Sequence, residues 1–144
     1  MNGPAAIANE LARRVLECEA GQSSPPQANP GPVSMDRLRK YMVMFVGSAG
    51  FGALLGRALA LARAQVYWLE TVEATDDGAL LGYGEALLAQ TQHQAQKGEN
   101  AILTHLFSLL VALVGEAITL NMVRDVWPDV STDGLITSAK EPTR

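Results

Sequence analysis

Apolar residues return every three or four positions along most of this chain, and the places where the rhythm stops mark its elements. Behind Pro4, residues Ile7, Leu11, Val15 and Cys18 recur at helical spacing, with Glu10, Arg13, Arg14 and Glu17 on the other positions. Residues 1–20 therefore read as an amphipathic N-terminal helix. The next stretch, residues 21–33, holds Pro25, Pro26, Pro30 and Pro32 beside Gly21 and Gly31. Proline removes the backbone donor and fixes φ, so this stretch is a linker and the N-terminal helix is a separable arm.

Ser34 fits an N-cap with Asp36 in the first turn, and the pattern behind it predicts one helix running to about Gln65. Residues 66–84 lose the rhythm: "QVYWLETV" is strand-like, "TDDG" is a turn signal, and Gly82 and Gly84 break up the residues after it. An irregular connection is expected there. Residues 85–97 suit a helix ended by Gly98, with Asn100 as the next N-cap. Residues 101–127 form the longest apolar pattern in the chain, closed by Pro128, and read as a central helix. Residues 129–144 are polar and read as a flexible tail. The predicted architecture is all-α: a small helical bundle over 34–128, built on a long central apolar helix, with the N-terminal arm apart from it.

Four glycines, 47, 50, 52 and 56, raise a rival reading. If "YMVMFV" were a strand, the glycines could form a tight turn before a helix, with Glu70 placed to bind a ribose, as at a dinucleotide site. The order is G-x-x-G-x-G, however, where the dinucleotide fingerprint is G-x-G-x-x-G, no phosphate-binding lysine follows, and residues 85–127 offer no further strands. A helix explains more of the residues. On a 3.6-residue wheel Ser48, Ala49, Gly52, Ala53, Gly56 and Ala60 gather on one side, a small-residue stripe of the kind that lets helices approach closely. Interior glycines each cost about 0.5–1 kcal/mol relative to alanine, and close packing offsets that. The natural complement is the stripe Thr104, His105, Ser108, Ala112, Gly115, Glu116 and Thr119 of the central helix. Residues 41–46 are accordingly expected to be helical.

Candidate chemistry is sparse. His93 and His105 are the only histidines, and neither has a metal-ligand type at i+3 or i+4, so no metal or cofactor is expected. His105 reads as a hydrogen-bonded core residue. Glu116 lies about 16 Å from His105 along a helix, too far to form an acid–base pair. A carboxylate inside so apolar a pattern needs a partner, and Arg57 and Arg63 are the candidates. The residues carrying interaction or packing are thus Ser48, Gly52, Gly56, Arg57, Arg63, His105 and Glu116. Cys18 is the lone cysteine, which excludes an intrachain disulfide and suits a reducing compartment.

Composition narrows the function classes. The 144 residues are 48% hydrophobic and 18% charged, more apolar than three helices can hide. A net charge of −4 argues against a nucleic-acid partner. Residues 101–123 would span about 34 Å, enough for a bilayer core, but Glu116, His105 and Asn121 offset most of roughly −5 kcal/mol of apolar insertion energy. Arg57 weighs against residues 41–64 in the same way. The expectation is a cytoplasmic, non-enzymatic interaction or assembly subunit that binds a protein partner or itself through apolar helix faces. A nucleotide-binding enzyme using Gly47–Gly56 and a small membrane-associated protein are the alternatives.

Overall fold

The computed structural model describes residues 4–20 and 33–130. Of the linker expected over 21–33, residues 21–32 lie outside the described residues and Val33 opens a helix; of the tail expected over 129–144, residues 131–144 lie outside them, as does the Ser34 side chain expected to cap a helix. The described chain is all-α: helices α1 (Pro4–Ala20), α2 (Val33–Arg63), α3 (Tyr83–Leu88), α4 (Gln92–Val114) and α5 (Glu116–Val126). A 3₁₀ turn at Tyr67–Thr71 and a two-stranded antiparallel ribbon, β1 (Glu73–Ala74) and β2 (Leu80–Leu81), connect α2 to α3. The irregular connection expected over 66–84 is this turn and ribbon.

The arm is not separate. Ile7, Ala8, Leu11, Ala12 and Val15 form one face of α1, spaced by three and four, and all are buried in the common core. α1 lies along α4 more extensively than any other two helices meet. A linker that ends one helix leaves the next free to fold back, and burial of this stripe supplies the reason to do so. On the far side, Arg13 pairs with Glu17 at 2.7 Å and with Glu10, and Arg14 pairs with Glu10 at 2.8 Å. The hydrogen bonds from Arg13 and then Arg14 draw the Glu10 carboxyl down to a pKa of about 2.

α2 is not one straight helix. Its first limb buries Met35, Leu38 and Met42, and its second buries Phe51, Leu55, Ala58, Leu59 and Ala62. Met42 and Phe51 are nine positions apart, about two and a half turns, so the two stripes face opposite sides of an ideal helix. Gly47 resolves the conflict with φ 78° and ψ 165°, a conformation essentially restricted to glycine. The expected central helix over 101–127 breaks in the same way. α4 buries Leu103, Leu106, Phe107 and Leu110, α5 buries Thr119, Leu120, Met122 and Val123, and Leu110 to Thr119 is again nine positions. Gly115 makes this break at φ 92° and ψ 165°.

The boundary expected at Gly98 is also different. α4 begins at Gln92, capped by Thr91, whose hydroxyl accepts from the Gln94 amide at 3.1 Å, and Gly98 lies inside the helix. Its missing side chain leaves room for Trp68: a Cβ at 98 would overlap the indole, which donates its Nε1–H to the Gln94 carbonyl at 3.0 Å. The Tyr83 ring packs against Trp68 as well, at 5.7 Å. At the C-terminal end, Trp127 meets Phe107 edge-on at 6.4 Å, and Val130, within the stretch expected to be a tail, is buried against the core.

This packing reverses the usual helix preference at residue 98. Alanine there would gain about 1 kcal/mol of helix propensity. Because the indole is held by both its hydrogen bond and Tyr83, Gly98→Ala should nevertheless destabilise the fold by about 1–3 kcal/mol in urea denaturation. A stabilised variant would show that Trp68 does not sit on this helix.

Candidate interaction surface

The phase changes at Gly47 and Gly115 leave two stripes unfinished. The stripe of the first limb, Met35, Leu38 and Met42, continues by helical spacing to Phe45 and Val46, which are 66% and 46% exposed. The stripe of α4 continues to Leu113 and Val114, and α5 adds Ile118, and these three are 67%, 44% and 59% exposed. Met44, beside Phe45, is 79% exposed. Both overruns emerge at one end of the molecule and wall a groove of about 300 Å³, with Met42, Phe45 and Val46 on one side and Leu110, Val114 and Ile118 on the other.

Polar contacts fix this geometry. Tyr41 Oη donates to Asp125 Oδ2 at 2.6 Å, tying the first limb to α5, and that bond raises the phenol's pKa. The Tyr41 ring also packs on Phe45 at 5.0 Å, which holds the exposed phenyl beside the groove. Thr119, the buried polar residue of α5, donates its hydroxyl to the Gly115 carbonyl at 2.8 Å, beside its own backbone amide, which donates to the same oxygen at 3.2 Å, so its buried hydroxyl is satisfied at the start of α5. A Cβ at Gly47 or Gly115 would meet nothing within 4 Å, so these glycines serve the backbone conformation and not a close contact.

The residues singled out in the sequence fall in several places. The small-residue stripe does not meet α4: Ser48, Ala49 and Ala53 are exposed, while Gly52 is buried against the Asp76 carbonyl and Gly56 approaches Ala74. Its complement is the ribbon turn at 75–78, because the break at Gly47 rotates the second limb and brings this face onto the connection. Arg39 Nε anchors the same turn by donating to the Asp77 carbonyl at 3.0 Å. Arg63 is not Glu116's partner; it donates to the Leu69 carbonyl at 3.4 Å and to the Val72 carbonyl, holding the connection against α2. Arg57 is exposed. Glu116 is half-buried in the first turn of α5, where the helix N-terminus favours a carboxylate. His105 is half-buried rather than in the core. Its Nε2 lies 3.1 Å from Gln65 Oε1, an acceptor, which fits the Nε2-protonated tautomer.

Sequence reasoning passed over Tyr41, Phe45, Val114 and Ile118. For Phe45 and Val114 the signal was present: apolar positions that continue a buried stripe up to the glycine where its phase changes. A second groove, of about 420 Å³ between α1 and α4, carries Arg13, Glu17, His93 and Lys97, and its Arg13 is already paired with Glu10 and Glu17. Among the described residues no group of three or more His, Cys, Asp or Glu could hold a metal ion. The strand that a dinucleotide site would need at 41–46 is a helix, as expected. By length and composition, Met35–Arg63 and Gln92–Val114 are long and apolar enough to cross a membrane, and a third to under half of each apolar window is buried in the fold. In comparison with known proteins, no family model, no curated protein and no solved structure matches the chain.

Burial lowers the His105 pKa below its usual 6.5, so the unfolded chain takes up the proton first. The stability that neutral His105 contributes is complete above the unfolded value and is lost as pH falls below it. Thermal melts from pH 7.5 to 5.5 should therefore show a falling Tm, and His105→Gln should flatten part of the slope. An unchanged slope would place His105 in full solvent.

Proposed function

We propose that this chain is a non-enzymatic interaction or assembly subunit whose working surface is the apolar end between Gly47 and Gly115. The observation that carries the reading is the groove itself: two helix stripes, buried along most of their length, run on into solvent and converge there. Monomers seldom expose contiguous apolar patches beyond a few hundred Å², and larger ones mark contact sites. Helices present their stripes to other helices by ridge-into-groove packing, so the fitting partner is a protein surface, with no cofactor required. A cytoplasmic setting agrees with the single cysteine, Cys18, and the acidic balance.

Membrane association is the second reading, favoured by the two long apolar helices. It has less support. No lysine or arginine occurs between Tyr41 and Gly56 or between Gly98 and Val123, and the chain carries a net charge of −4. Interfacial helices generally bring basic residues to anionic lipid.

Phe45→Asp and Ile118→Asp test the surface with little risk to the fold, since both side chains are more than half exposed. Each should change unfolding free energy by no more than about 0.5 kcal/mol. Each should also remove most of the fluorescence of a hydrophobic dye such as anilinonaphthalene sulfonate bound to the wild-type chain. Undiminished dye binding in both variants would put the apolar surface elsewhere.

A further inference from the structure

An interaction surface needs an occupant, and the chemistry of this one narrows the choice. Resting on the interaction reading, we propose that a second copy of this chain covers the apolar end, docked about a two-fold axis with Phe45 of each copy in the groove of the other. Three features of the patch support this occupant.

The first is charge. A two-fold axis sets a surface against itself, so a charge near the axis meets its own copy and any other charge must find its complement within the same patch; a patch with almost no charge faces neither demand. From Tyr41 to Gly56 there is no charged residue, and from Ala101 to Val123 the only acid or base besides His105 is Glu116. A basic partner would find little to pair with here, and an anionic lipid surface would find no cation inside the patch.

The second is shape. The groove, at about 300 Å³, is about twice the cavity that accommodates a benzene ring, and the structure provides a knob of matching kind at its lip. That knob is Phe45, 66% exposed and supported from behind by the Tyr41 ring. One surface thus carries both the projection and the recess, which is what an isologous contact needs. The third is extent. Phe45, Val46, Val114 and Ile118, which line the groove, are all exposed, and Met44 and Leu113 next to them in sequence are exposed as well. A standard stable interface covers roughly 800 Å² per partner, room for this apolar end together with a polar rim at Asn121 and the Tyr41–Asp125 pair.

Sedimentation equilibrium of the full chain, from low micromolar to several hundred micromolar, tests the proposal. Wild type should move toward twice the 15.3 kDa chain mass. Ile118→Glu and Phe45→Glu, each checked for unchanged circular dichroism, should weaken association at least 100-fold because each dimer would bury two carboxylates. Leu88→Glu, at a position 88% exposed on α3, should associate like wild type. A wild-type chain that stays monomeric overturns the second copy, and so does a dimer unaffected by both patch variants. Two further measurements separate this failure from failure of the broader reading. A monomer whose dye binding is lost in Ile118→Glu keeps the interaction surface but gives it another occupant. A monomer that co-sediments with phosphatidylserine vesicles gives it to lipid, and one that binds neither dye nor vesicles removes the surface as well.

Discussion

Two backbone positions decide where the apolar surface of this chain comes to lie. Gly47 and Gly115 both adopt a positive φ with ψ at 165°, and each stands between two buried stripes half a turn out of phase. Without these breaks, the first and second limbs of α2 could not both face the core, nor could α4 and α5. With them, each helix buries the stripe it has and abandons the end of the stripe it cannot turn inward. The exposed end is therefore a consequence of the same constraint that completes the core.

α4 is the axis around which the rest assembles. α1 lies along one side, the limbs of α2 along another, and Trp68 packs where Gly98 leaves room. The connection between α2 and α3 is short of regular structure, and arginines hold it from outside: Arg39 on the Asp77 carbonyl, Arg63 on the Leu69 and Val72 carbonyls. Charged hydrogen bonds to backbone acceptors do here what a longer ladder would do in a sheet.

Much of this was legible in the sequence, and the parts that were not share a cause. The all-α class, the amphipathic first helix, the irregular connection and the helical state of residues 41–46 come from local periodicity. The break at Gly47 was also legible, since Met42 and Phe51 cannot share one face, but counting small residues on one continuous wheel concealed it. Thr91 with Gln94 three positions later is the spacing of a capping box and marks the start of α4 better than Asn100 does. Gly98 looks like a helix stop in sequence and is a helix interior in space, because Trp68, thirty positions away, occupies the room of its missing side chain. The partners of Arg63 and Gly52 were equally beyond local reasoning, for both are backbone carbonyls brought near by tertiary folding.

Backbone chemical shifts of the isotope-labelled chain measure the two breaks directly. Cα shifts should be helical from Val33 to Val46 and from Ser48 to Arg63, and again on both sides of Gly115, with the helical run interrupted at Gly47 and Gly115 themselves. Uninterrupted helical shifts through Gly47 and Gly115 would contradict this architecture, because straight helices would turn the exposed stripes elsewhere and leave no groove between them.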